Sequence, residues 1–189
     1  MCSSDLSAII LPMIEPIGKH QQTLVIERSE DYLALATELF AADLPTVDFR
    51  FDLPGGCAGM FKISQGQCLI RYNPWLFAKY FDDNLNETVP HEVAHYVVHQ
   101  LYPRRRVRPH GKEWRNVMHA FGVEPRVTGS YDLSGIPQRR QKQFEYACQC
   151  QVHQLGSRRH NTVQRGRGQY LCLHCNKQLD YLGRESAGS

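Results

Sequence analysis

Between residues 46 and 53 the chain alternates without a break, with Val47, Phe49, Phe51 and Leu53 on one side and Asp48, Arg50 and Asp52 on the other. A period of two predicts a strand with one wet face. CAGMFKIS and QCLIRY flank the turn residues Gln65-Gly66 and predict a hairpin running into Asn73-Pro74, a helix-start pair. Upstream, Leu24, Tyr32, Leu35 and Leu39 fall roughly on one side of a helix expected over 23–42, while residues 1–22 carry no clear period and read as a loosely held arm. Downstream, a short helix is expected over 74–81 and a longer one over 85–101. A third, over 111–121, has Trp114, Val117, Met118 and Phe121 at core spacing and Gly122 as its stop. Helix, small antiparallel sheet and further helices make an α+β domain over 23–138. Residues 123–144 read as a covering loop and linker, and a second unit occupies 139–189.

A chain of 189 residues can bury a real core. No apolar run reaches the roughly 18 residues of a membrane span, and AIILPMI lacks both the basic lead and the cleavage site of a signal peptide, so no membrane partner and a cytoplasmic location are expected. Cys2, Cys57 and Cys68 stand alone, whereas Cys148, Cys150, Cys172 and Cys175 crowd the last quarter. Without an export signal, that crowding favours metal over disulfides. The net charge of +3 conceals a split: residues 139–189 carry nine Lys/Arg against three Asp/Glu, a balance of +6, and the rest carries −3. A basic second unit suggests a polyanionic partner, with solvated arginines around a small domain as the plainer reading.

The helix TVPHEVAHYVVHQ places His91, His95 and His99 on one face, with Glu92 just off it. Residues four apart in a helix rise about 6 Å and sit within about 40° of one another, so the imidazoles of His91 and His95 can address one ion. Glu92 is rotated by about 100° from His91, which suits it to hydrogen-bond a water at the ion's open position, as a general base for hydrolysis at an acyl carbon. His99 lies too far along the axis to join them and reads as a helix-face histidine near the rim. A third ligand must come from elsewhere. His110 is favoured, because Pro109 and Gly111 let the backbone turn there; Glu113, His119, Glu124 and Asp132 are the rivals.

In the tail, Cys172-x2-Cys175 has zinc-knuckle spacing, and Cys148, Cys150 and His153 supply the other half, so five residues compete for four places on a structural zinc. The 21-residue insert between the halves reads as strand-rich, the layout of a zinc ribbon. A unit of this size depends on the metal for much of its folding energy. Arg158, Arg159, Arg165 and Arg167, with His160 and interleaved with Tyr146 and Tyr170, form a surface able to neutralise phosphates and stack bases. Arg104, Arg105 and Arg106 could extend it.

LIRYNPWLF, VPHEVAHYVVHQL, PHGKEW and the YACQC, RRHNTV and YLCLHC segments together resemble the SprT-like zinc metalloprotease family, which includes the eukaryotic Spartan and Wss proteases. The resemblance covers about 30–182. It implies a zincin-like fold, a catalytic zinc on His91, His95 and His110, Glu92 as catalytic acid/base, and, by analogy with the eukaryotic members, cleavage of proteins held on DNA. Two other readings stand beside it: a zinc-ribbon adaptor for nucleic acid or a transcription complex with an idle histidine site, and a zinc hydrolase of some non-peptide amide.

Overall fold

The computed structural model describes residues 14–103, 105–127, 131–137 and 142–187. Its contacts divide the chain into two compact units, residues 1–138 and 139–189.

In the first unit, helix α1 (Lys19–Phe40) buries Val25, Ser29, Tyr32 and Ala36. This face is rotated from the expected one: Leu24 and Leu39 are 36% and 48% exposed. The small Ser29 and Ala36 allow close packing, and the Ser29 hydroxyl donates to the Val25 carbonyl and lies 2.8 Å from the buried Tyr72 hydroxyl. The expected free arm is also corrected for its described part. Ile17 is buried and its N–H donates to the Pro74 carbonyl at 3.0 Å, so the chain is anchored before α1 begins; residues 1–13 lie outside the described residues.

Strands β1 (Asp48–Arg50), β2 (Gly59–Ser64) and β3 (Gln67–Tyr72) form a sheet of order β1-β3-β2. The β2–β3 hairpin is antiparallel, closed by Gln65 and Gly66, both at positive φ. However, β1 pairs with β3 in parallel, so the sheet is mixed rather than antiparallel. Alternation decides which side chains face inward and is blind to strand direction. Asn73 caps α2 (Pro74–Lys79), its side chain accepting from the Trp75 and Leu76 N–H groups.

A single turn, α3 (Phe81–Asp83), leads into a π-helical turn (Asn84–Thr88) and then α4 (Val89–Leu101). The expected continuous helix over 85–101 therefore contains a widened turn where it begins. Buried Asn84 braces that turn: its amide donates to the Leu76 and Tyr80 carbonyls, and its oxygen accepts from the Thr88 and Tyr131 hydroxyls. Helix α4 runs through the core, with Val89, Val93, Ala94, Tyr96 and Val97 fully buried, and α5 (Lys112–Ala120) packs on it through Trp114, Val117 and Met118. A smaller cluster of Ala58, Leu76 and Ile136 pins the 131–136 segment.

The second unit is a three-stranded antiparallel sheet of order β5-β4-β6, from β4 (Lys142–Ala147), β5 (Val152–Gly156) and β6 (Asp180–Ala187). Its insert is not strand-rich throughout: Ser157–Gln164 is a helix, α6, docked by His160 stacked on Phe144 at 3.6 Å. Among its described residues, Tyr146, Leu155, Cys172 and Leu179 are the ones buried in its core.

Candidate metal centre and catalytic carboxylate

Helix α4 delivers His91 and His95 one turn apart, and the segment entering α5 delivers His110. The three Nε2 atoms form a nearly regular triangle, 3.2 Å from His91 to His95 and 3.0 Å from His110 to each. Among the rivals for the third position, none belongs to the cluster: Asp132 pairs with Lys79 at 2.7 Å, Glu124 lies on the cavity wall, and Glu113 and His119 stand on α5 outside it. His99 faces Phe61 instead, ring centroids 5.8 Å apart. The turn is made differently from expectation. His110 itself takes the left-handed conformation, φ 55°, while Gly111 is the extended cap of α5. A side chain at Gly111 would sit 2.9 Å from the Arg108 carbonyl oxygen, so glycine serves close approach there. A histidine held at positive φ stores about 1–2 kcal/mol of strain, a cost that recurs at functional sites.

Trp114 is the platform beneath the triangle. Its ring centroid lies 4.7, 5.7 and 4.8 Å from those of His91, His95 and His110, and its indole N–H donates to the His91 carbonyl at 3.2 Å. Burial and the neighbouring rings hold His91 down to about 4 and His95 down to about 3, so at neutral pH both present uncharged nitrogens.

Three uncharged imidazole nitrogens converging at these distances are a donor set that a Lewis acid could share. With bonds of about 2.0–2.1 Å, the ligand–ligand edge of a tetrahedral zinc is about 3.3 Å, which the observed 3.0–3.2 Å spacing meets closely. The donor set therefore fits zinc with one position left open.

Glu92 is buried, 6% exposed, and its Oε2 accepts from the Phe61 N–H at 2.7 Å. Burial pushes its carboxyl up to about 7, with the Phe61 hydrogen bond pulling the other way. His91, Glu92, His95 and His110 open into one cavity of 540 Å³, whose walls include Gly59, Met60, Phe61, Arg126 and Tyr131.

In the second unit the Sγ atoms of Cys148, Cys150, Cys172 and Cys175 lie within 4.8 Å of one another. Sγ separations of 3.2 Å (Cys148–Cys150) and 3.6 Å (Cys150–Cys172) approach the roughly 3.8 Å edge of a tetrahedral thiolate zinc with bonds of about 2.3 Å. His153, the fifth contender, stands outside this set, with Nε2 3.3 Å from Cys148 Sγ. Although desolvation alone would raise it, the Cys148 thiol is pulled down by the Cys150 N–H and His153, and the Cys148 side chain in turn pushes the Cys150 thiol up. The four arginines are exposed: Arg158 and Arg159 on α6, Arg165 and Arg167 just beyond it, with the Arg159 guanidinium 5.7 Å from the Tyr170 ring centroid. Arg105 and Arg106 are exposed on the first unit, and Arg104 lies outside the described residues.

Gly59, the Phe61 N–H and the ligand-facing role of Trp114 escaped the sequence reading. Trp114 was legible in principle, since it follows His110 by four residues, but its core spacing explained it already. Nothing in the sequence signals a strand N–H meeting a helix carboxylate.

The model of the SprT-like family matches residues 29–132, which contain the histidine cluster and Glu92. The chain is 38% identical over 171 residues to Protein SprT of Vibrio parahaemolyticus, covering 90% of this chain and 96% of that protein. It is 35% identical to Protein SprT of Shewanella oneidensis, covering 84% and 97%, and 37% identical to Protein SprT of Escherichia coli, covering 84% and 92%. Among the described residues no helix is long and apolar enough to cross a membrane.

Proposed function

The chain belongs to the SprT-like family, and from that premise we propose that it is a cytoplasmic zinc metalloprotease with a zincin-like catalytic domain, hydrolysing peptide bonds in DNA-associated proteins. One observation carries the reading: a three-imidazole zinc site and a buried carboxylate share one cavity.

His91, His95 and His110 would hold the ion, and Trp114 holds the imidazoles. Zinc bound there would acidify a water and polarise the scissile carbonyl. Glu92 takes the proton from the attacking water and returns it to the leaving nitrogen. The Phe61 N–H fixes the carboxyl's position, and the surrounding core keeps bulk water from it. In the second unit, Cys148, Cys150, Cys172 and Cys175 would hold a structural zinc that cross-links the two halves, with His153 bonding the Cys148 thiolate. Exposed Arg158, Arg159, Arg165 and Arg167 contact DNA phosphates and bring the peptidase to its substrate.

The test is cleavage of a DNA-bound protein by the zinc-loaded chain, with Glu92→Gln as control. Loss of cleavage in the variant is expected, and equal cleavage by both rejects the mechanism. Replacing Arg158 and Arg159 by alanine should weaken DNA binding and reduce its salt slope by about one per lost phosphate contact; unchanged binding removes these arginines from the interface. Against the adaptor reading, a carboxylate buried beside the histidine cluster has a cost that an idle site has no reason to keep.

A further inference from the structure

Strand β2 approaches α4 at Gly59 more closely than a side chain permits. A Cβ built on Gly59 would lie 2.5 Å from Glu92 Cγ, 2.8 Å from Glu92 Oε1 and 2.8 Å from Thr88 Cγ2. Ordinary carbon contacts are about 3.5–4.0 Å, so the overlap is on the order of 1 Å. Two residues along, the Phe61 N–H meets the other carboxyl oxygen at 2.7 Å. That N–H points away from β3, at the free edge of the sheet, because β2 is an outer strand.

Neither element can yield easily. Gly59 is in register with buried Tyr72, β2 is paired with β3 along its whole length, and the Asn73 N–H donates to the Ala58 carbonyl immediately before β2. On the other side, α4 is fixed by its fully buried valines, and Thr88 closes the space beside Glu92 through its bond to Asn84. The Phe61 ring is wedged against Tyr96 and His99, centroids 6.0 and 5.8 Å away.

We propose that β2 is the positioning device for the Glu92 carboxyl: the bare backbone at Gly59 makes room for it, and the Phe61 N–H fixes its rotation, so that Gly59 is a positioning residue of this site. The inference rests on the reading of Glu92 as the proton-transfer group. A carboxyl displaced by about 1 Å loses on the order of 10²-fold in rate, while the histidines, absent from the three atoms nearest that Cβ, keep their metal. The positioning role also explains why the strand carries glycine within a run otherwise suited to pairing.

The test is a double-mutant cycle on the zinc-loaded full chain, using Gly59→Ala, Glu92→Ala and the pair, read as urea midpoints. Alanine at 92 removes both Glu92 atoms that a Cβ at Gly59 would overlap, Cγ and Oε1, and leaves only Thr88 Cγ2 of the three nearest. Gly59→Ala in the wild-type background should lower kcat about 10²-fold with KM and zinc content retained, and the drop in midpoint it causes should shrink by at least about half in the Glu92→Ala background. Equal drops in both backgrounds overturn the proposal, since a general structural defect is indifferent to the side chain at residue 92. A second measurement is independent of catalysis and of whether Gly59→Ala folds. In nuclear magnetic resonance of the wild type the Phe61 amide proton should be downfield and slow to exchange. In Glu92→Ala it should move upfield and exchange at least about tenfold faster; an unchanged Phe61 amide also overturns the proposal. Glu92→Gln cleaving at the wild-type rate would instead sink the assignment of Glu92 itself, a result distinct from either.

Discussion

Asn84 lies outside the histidine cluster, yet its replacement gives the sharpest test of how helix α4 is held. Asn84→Ala removes a side chain that donates at 3.1 Å to Leu76 and 2.8 Å to Tyr80 and accepts at 2.6 Å from Thr88 and 2.9 Å from Tyr131. At a net contribution of about 0.5–1.5 kcal/mol each, four bonds total roughly 2–6 kcal/mol. Two facts lower that figure. The Leu76 and Tyr80 carbonyls already accept backbone N–H groups from Tyr80 and Asn84 at 2.9 and 3.0 Å, so neither is orphaned. The Thr88 and Tyr131 hydroxyls stand 3.4 Å apart and can bond each other. A loss of about 2–3 kcal/mol is therefore expected, as a lower urea midpoint at unchanged slope. Tryptophan fluorescence is a suitable probe, because both tryptophans, Trp75 and Trp114, lie in the first unit. Asn84→Asp should be worse than alanine at pH 8, since a buried carboxylate would face two carbonyl oxygens with no proton to offer. A cost below about 0.5 kcal/mol for alanine, or wild-type stability for aspartate, would show that the turn is not braced through Asn84.

Two further outcomes test the metal sites and the buried carboxyl. The chain should bind two zinc ions, falling to one when His91 and His95 are both replaced by alanine; chelating both should collapse the amide resonances of 142–187, described residues whose buried core is small, and retention of their dispersed spectrum without metal would refute the unit's dependence on zinc. In the metal-free chain, Glu92 is raised to about 7, so the stability it confers is fully present below the ordinary carboxylate range and lost as pH climbs through 7. Glu92→Gln cannot ionise. It should therefore gain on the wild type between pH 5 and pH 8, by up to about 3 kcal/mol in urea titrations, and a pH-independent difference would contradict the burial.

Periodicity and local spacing account for what is legible in the chain before it folds. The i, i+4 pair His91 and His95 could be read because helix geometry alone brings such residues together. The hairpin at Gln65-Gly66, the Asn73-Pro74 start and the crowded cysteines are equally local signals. His110 was favoured from the turn residues beside it, although the fold makes the turn with His110's own backbone. Tertiary structure decided the rest. The face α1 buries depends on which surface has room for Tyr72, the direction of β1 depends on its partner, and the helix in the cysteine insert is docked by a stack of His160 on Phe144. The cysteines, rather than His153, make up the four-donor cluster because the two halves meet thiol to thiol, a matter of distances between segments more than twenty residues apart. So too with Gly59 and Phe61, which belong to the site only because a sheet edge passes within contact of a helix 31 residues further along the chain. Hydrophobic patterning states which residues must be inside; only packing states which of them touch.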